Sequence, residues 1–200
     1  MSTEILKKII FLFATSAILF SQPVAAQTFK ELERDCNLQI ALSCSLLARK
    51  YQQGDEVQID KFKSIELYQR GCNGGNTMAC TYLGFAFSSG DGVRQDKLKA
   101  IELYQKSCDG GGVVACSFLG AMYDYADGVS QDKFKAAALY QKGCDGNEQL
   151  GCVNLGTLYI KGEGVRQDSL KALTLFGKAC DLKNQTGCDY YSKLKNSGVR

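Results

Sequence analysis

Along most of the chain, apolar residues recur at intervals of three and four with polar residues between them, the pattern of amphipathic helices. From Lys97 to Cys108 the apolar side chains Leu98, Ile101, Tyr104 and Cys108 follow this step, with Ala100 and Leu103 beside them. The spacing predicts a helix that buries this stripe. Asp96 stands just ahead as an N-cap, where a carboxylate accepts a free first-turn N–H and meets the positive end of the helix. The run Cys108-Asp109-Gly110-Gly111-Gly112 ends the helix, since glycine enters the left-handed region without a Cβ clash. A second helix is expected over Val113–Tyr125, burying Ala115, Cys116, Leu119, Met122 and Tyr123. Gly120 at its centre costs about 1 kcal/mol of helix propensity. Its return as Gly84 and Gly156 implies a packing reason, the close approach of a neighbouring helix. The elementary unit is an antiparallel helix pair.

That unit repeats. Cysteines stand at 36, 44, 72, 80, 108, 116, 144, 152, 180 and 188: five C-x7-C pairs, each offset from the last by 36. Other residues keep the same register. Leu67-Tyr68-Gln69 returns as Leu103-Tyr104-Gln105 and Leu139-Tyr140-Gln141, then weakens to Leu175-Phe176-Gly177. Asp91-Gly92-Val93-Arg94-Gln95-Asp96 returns at 127–132 and 163–168. A fixed period of this length marks a repeat array. The fold class expected is all-α: an α/α superhelix, or solenoid, of five antiparallel helix pairs at 28–53, 61–89, 97–125, 133–161 and 169–196. The first and last pairs depart from the pattern, as units that turn one face to water should.

Within each pair, one cysteine closes the first helix and the other opens the next across a tight link. Antiparallel helices joined in this way bring the two positions to disulfide distance, with Cα atoms about 4.4–6.8 Å apart. The pairs expected are Cys36–Cys44, Cys72–Cys80, Cys108–Cys116, Cys144–Cys152 and Cys180–Cys188. Zinc is the weaker reading, because the spacing is wrong for ligand pairs and the chain has no histidine. No metal and no cofactor is expected.

The amino terminus supplies the redox setting. Lys7 and Lys8 precede an apolar run from Ile9 to Phe20, followed by Pro23 and by Val24-Ala25-Ala26, which suit a signal-peptidase site. The run is short of the roughly 20 residues a membrane-spanning helix needs. Residues 1–26 are expected to be a cleaved signal peptide and 27–200 the solenoid, with no membrane anchor. Export to the periplasm or beyond the cell gives paired cysteines an oxidising compartment. A net charge of +3, from 24 Lys plus Arg against 21 Asp plus Glu, is too small to suggest a nucleic-acid partner. A monomer is expected.

The 36-residue period, the Leu155-Gly156-Thr157-Leu158-Tyr159 helix, the Gly-x-Gly-Val-x-x-Asp loop and the Lys-Ala-x-x-Leu-Tyr-Gln-Lys helix resemble Sel1-like repeats, relatives of the tetratricopeptide repeat. With a C-x7-C pair per repeat and a leader, the chain is similar to the Helicobacter cysteine-rich proteins in particular. The resemblance covers 28–200. It implies a right-handed superhelix and two kinds of activity. One is binding of a peptide or protein segment, from the host or the cell envelope. The other is penicillin binding or slow hydrolysis of a β-lactam or related peptidoglycan fragment.

The residues themselves offer no catalytic constellation for the second kind. Absence of histidine removes the Ser-His-Asp and Cys-His arrangements. The S-x-x-K element of serine β-lactamases occurs as Ser130–Lys133 and Ser192–Lys195, without S-D-N or K-T-G. The catalytic residues are therefore unknown.

Binding has candidates. The first helix of each tetratricopeptide-like repeat lines the concave face, and its non-core positions differ here from repeat to repeat. They are Thr81, Tyr82, Phe85 and Ser88; then Ser117, Phe118, Ala121, Asp124 and Tyr125; then Val153, Asn154, Thr157 and Lys161. Tyr82, Phe85, Phe118 and Tyr125 form an expected aromatic strip of the kind that supplies hot spots, or else complete packing between repeats. Asn154, with Thr157 nearby, occupies the place where related repeats carry a peptide-clamping Asn. Leu46, Tyr82, Phe118 and Tyr190 stand there in the other repeats. The expected ligand site is Tyr82, Phe85, Phe118, Tyr125, Asn154 and Thr157: a hydrophobic groove with one polar end.

Overall fold

The computed structural model describes residues 27–199; the leader expected at 1–26 lies outside them. The described residues form ten α-helices and no strand: α1 (Phe29–Asn37), α2 (Ala41–Gln53), α3 (Lys61–Asn73), α4 (Thr77–Ser89), α5 (Lys97–Asp109), α6 (Val113–Tyr125), α7 (Lys133–Asp145), α8 (Gln149–Lys161), α9 (Ser169–Asp181) and α10 (Gln185–Asn196). Their starts follow from local chemistry. Asp60, Asp96, Asp132 and Asp168 cap α3, α5, α7 and α9, each accepting the backbone N–H three residues on at 2.9–3.0 Å. The even-numbered helices α2, α4 and α8 end on Gly54, Gly90 and Gly162 with φ of 75, 81 and 71°. In α6 this left-handed position is held by Ala126, at φ 58°.

Five disulfides close the expected pairs, with Cα–Cα distances of 4.4–4.8 Å. Each ties the end of an odd-numbered helix to the start of the next even-numbered one. Basic side chains reinforce the stacking along the axis. Arg70, Lys106 and Lys178 each donate to the carbonyl of the cysteine that ends the odd-numbered helix one period earlier (Cys36, Cys72 and Cys144) at 2.6–2.9 Å, which answers the partial negative charge there. Lys61, Lys97 and Lys133 pair with Asp91, Asp127 and Glu163 in the following loop at 2.6–2.9 Å.

The core is a continuous stack. Leu47, Leu83, Leu119 and Leu155 from even-numbered helices meet Leu67, Tyr68, Leu103, Tyr104, Leu139, Tyr140, Leu175 and Phe176 from odd-numbered ones, all buried. The mid-helix glycines have the packing role their recurrence suggested. A Cβ built on Gly84, Gly120 or Gly156 would lie 2.8–2.9 Å from ring carbons of Tyr104, Tyr140 or Phe176. The buried tyrosines pair in register too: Tyr68 donates to Gln52 and Tyr140 to Asp124. At the equivalent place Ile160 accompanies Phe176, an apolar residue opposite a ring with no hydroxyl.

Two core expectations are corrected. Leu98 is 67% exposed, and its counterparts Phe62, Phe134 and Leu170 are exposed as well. They sit in the first turn of their helices, where the stripe begins one residue too early to reach the neighbour. Tyr123 is only half-buried, because its face carries Lys135 with Nζ 4.1 Å from the ring centroid.

Candidate functional site

Even-numbered helices touch one another directly, α6 against α8 and α8 against α10, whereas successive odd-numbered helices do not meet to that degree. The solenoid therefore curves with the even-numbered helices on its inner side. Three of the aromatic candidates share that side. Tyr82 and Phe85 of α4 and Phe118 of α6 line a cavity of about 580 Å³, completed by Met78, Val113 and Val114, with Gln52, Thr77, Thr81, Gly111 and Gly112 at its margins. The size is that of a small-ligand or side-chain pocket, and its walls are mostly apolar.

The rings have two jobs. Tyr82 stacks on buried Tyr68 at 5.1 Å between centroids, and Phe118 on buried Tyr104 at 5.4 Å. Phe85 leans on Phe118 at 6.4 Å. One face of each stacked ring thus completes packing between helices while the other lines the cavity. Tyr82 keeps 38% of its surface exposed and Phe85 49%. Exposure of large aromatics side by side is what distinguishes a recognition surface from a core edge.

The remaining candidates lie elsewhere. Tyr125, 70% exposed at the end of α6, is not part of the cavity wall. Asn154 and Thr157 stand on α8, also outside it. Thr157 bonds back to the Val153 carbonyl of its own helix at 3.0 Å. Asn154 occupies the position that stacks in other repeats (Tyr82, Phe118 and Tyr190), so Tyr140 lacks the aromatic cover given to Tyr68, Tyr104 and Phe176. Several variable inner-face positions also prove to be interior contacts. Ser117 donates to Glu148, Thr81 pairs with Ser107, and Val153 is buried. Asp124 is buried between Tyr140 and Lys133.

Electrostatics bear on the S-x-x-K elements. Lys133 donates to both Asp124 and Glu163 (2.9 Å to the latter), and these bonds, that to Asp124 first, hold its ammonium above the ordinary lysine range. Such a lysine keeps its proton and is a poor base for Ser130. Ser192 and Lys195 are both exposed on α10, and Lys195 is bonded to Tyr191. Burial pushes Tyr68, Tyr104 and Tyr140 well above the usual phenol range, so all three remain neutral. No cluster of three or more His, Cys, Asp or Glu able to hold a metal occurs among the described residues.

Sequence reasoning missed three wall residues, Met78, Val113 and Val114, and the marginal Gln52, Thr77, Gly111 and Gly112. Met78 and Val114 open α4 and α6 and match Leu42 and Leu150 in register, an inner apolar row visible in the period itself. Gln52 follows only from the juxtaposition of α2 with α4.

A family model described as the Sel1 repeat matches residues 41–76, 77–112, 113–148 and 149–184. In that phase each disulfide crosses a boundary: three staple one repeat to the next, and Cys36–Cys44 and Cys180–Cys188 attach the terminal helices. Comparison with curated protein sequences finds no match. Among solved structures, the chain is similar to c5321, a protective antigen of uropathogenic Escherichia coli with this fold. Identity is 26%, 86% of this chain and 37% of that one are covered, and the TM-score is 0.81. It is also similar to cysteine-rich protein B of Helicobacter pylori, at 31% identity over 68% of this chain and 98% of that one, with a TM-score of 0.54. A Sel1 repeat protein from Oxalobacter formigenes shares the fold at 22% identity and a TM-score of 0.75, over 84% and 78% of the two chains. The chain thus spans little more than a third of the antigen's length but nearly all of the Helicobacter protein's. Period, disulfide register, helix order and four consecutive family matches agree: this chain belongs to the Sel1 repeat family.

Proposed function

We propose that this protein is an exported, disulfide-stapled scaffold that binds an extended peptide or protein segment along its inner face, with the cavity between α4 and α6 as the anchor point. Sel1 repeats serve protein–protein interaction, and disulfide-rich repeat domains belong to oxidising compartments. The observation that carries the reading is the shared apolar cavity, where Tyr82, Phe85 and Phe118 present ring faces to solvent from a rigid helical frame. Rings held by stacking on the core lose little freedom when a ligand arrives, so most of the contact energy reaches affinity. The test is affinity capture from envelope extract by the oxidised protein, with the double variant Phe85→Ala/Phe118→Ala as its pair. The expected result is a set of proteins retained by the wild type and lost by the variant at equal helicity. Equal capture by both would overturn the groove assignment.

A further inference from the structure

The charges of the inner face are unevenly distributed. The even-numbered helices carry two acids, and Asp124 is already paired inside the fold with Lys133. The other, Asp189, accepts from Gln185 in the terminal helix. Of their basic residues, Lys50 is tied to Asp55 and Glu56. Arg49 is different. It is exposed on α2 and has no ion-pair partner among the described residues.

Arg49 holds in the first helix pair the register position that Phe85 of the apolar cavity holds in the second. With Leu46 and the Lys50–Asp55 pair it lines a second hollow of about 300 Å³, and Gln52, less than one turn further along α2, contributes to the margin of the first. Leu46 holds the inner-face position that Tyr82 and Phe118 hold in the next two repeats. The guanidinium is close enough to Tyr68, beneath Tyr82, to oppose in part the effect of burial on its hydroxyl. Apolar wall and unpaired cation are therefore consecutive stations on one inner face.

The geometry points to an acidic-apolar peptide segment as the occupant of the groove: a large apolar side chain between Tyr82, Phe85 and Phe118, and within a few residues a carboxylate paired with Arg49. A free guanidinium offers five donors and no acceptor, and its fork matches a carboxylate. Acidic segments are selected there because Asp55, the acid lining the same hollow, is already held by Lys50 at 3.0 Å. A basic segment meets repulsion at the same place.

The assignment rests on the groove reading, and one experiment separates the two. Random peptides displayed on phage are selected against the oxidised full solenoid, its Arg49→Ala variant and its Phe85→Ala/Phe118→Ala variant in parallel. Against wild type, the enriched sequences should combine a large apolar residue with Asp or Glu a few positions away. Against Arg49→Ala the acidic preference should vanish while the apolar one stays. A synthetic peptide of the enriched sequence should bind Arg49→Ala roughly tenfold more weakly, as expected for a charge-assisted pair. Its affinity for wild type alone should fall between 50 and 500 mM NaCl. Apolar enrichment with no acidic preference, or with one that persists in Arg49→Ala, overturns the carboxylate station and leaves the groove intact. Enrichment no different from that of the Phe85→Ala/Phe118→Ala variant overturns both.

Discussion

The same substitution, Gly→Ala inside a helix, should have opposite signs at two places in this solenoid. In α6, a Cβ on Gly120 would lie 2.9 Å from two ring carbons of Tyr140 and 3.3 Å from the Ala136 carbonyl oxygen. The ring has little freedom to give way. Tyr140 is fully buried, and its hydroxyl donates to Asp124 at 3.2 Å. Relieving the overlap requires α6 and α7 to separate, at about 1–3 kcal/mol for an extra carbon forced into a packed core. Against this stands a gain of about 1 kcal/mol in helix propensity. The clash wins, and Gly120→Ala should be destabilising by about 1 kcal/mol. In α9, a Cβ on Gly177 would meet only the ring of Tyr191, at 3.2–3.3 Å. Tyr191 is half-buried and can swing by the few tenths of an ångström required. There the propensity gain prevails, and Gly177→Ala should be stabilising by about 0.5–1 kcal/mol. Ala48 shows how the first repeat differs: it holds the same position opposite Tyr68, so that helix pair has been built around a methyl group. The assay is urea unfolding of the oxidised protein followed by circular dichroism at 222 nm, with m-values checked for constancy. A Gly120→Ala variant more stable than wild type would refute the account of the recurrent glycines as seats for the next ring.

Three further outcomes are expected. Each disulfide spans a sequence separation of eight and is credited with about 2.5 kcal/mol by loop entropy; a domain of this kind has roughly 5–15 kcal/mol in all. The five together, about 12.5 kcal/mol, thus match most of the stability such a domain has, so protein reduced in denaturant should fail to regain its helical signal on dilution under reducing conditions, and full recovery would show that the stack holds without its staples. Ala126→Gly should raise the melting temperature, with a gain of about 0.5–1 kcal/mol, because Ala126 alone among the equivalent helix ends adopts φ 58° without being glycine; a lower melting temperature would contradict this. Stability should fall as pH rises above 10: Tyr68, Tyr104 and Tyr140 ionise there in the unfolded chain but stay protonated in the fold, so the unfolded state releases protons that the native state keeps. Alkaline titration of the chemical midpoint checks the sign, and a midpoint that is flat or rising from pH 9.5 to 11 would show that these hydroxyls are not held neutral by burial.

Much of the architecture was legible because a solenoid is built from local and next-neighbour interactions. The Asp caps, helix lengths, cysteine pairs and glycine seats each depend on residues less than one period apart, so a 36-residue register displays them directly. The hydroxyl partners of Tyr68 and Tyr140, Gln52 and Asp124, also share one register position, which Ile160 holds opposite Phe176. The failures occur where helical spacing is too coarse. Leu98 fits the apolar stripe by its step but sits in the first turn, beyond the neighbour's reach. Ser117, Thr81 and Asp124 vary among repeats as groove residues should, yet they vary because each answers a different partner inside the fold.

The candidate site divides along the same line. The resemblance to tetratricopeptide-like repeats identified the inner helices and the residue pattern the aromatics on them, since composition at a repeated position needs no coordinates to be compared. Only the tertiary structure decided that Tyr82, Phe85 and Phe118 share one cavity while Tyr125, Asn154 and Thr157 stand apart, and that Arg49 lines a second hollow with Leu46. The physical reason is that a cavity is the space left between helices. Its existence depends on their separation and rotation, set by the summed packing of buried rings, glycines and disulfides, and no periodicity along one chain encodes those distances.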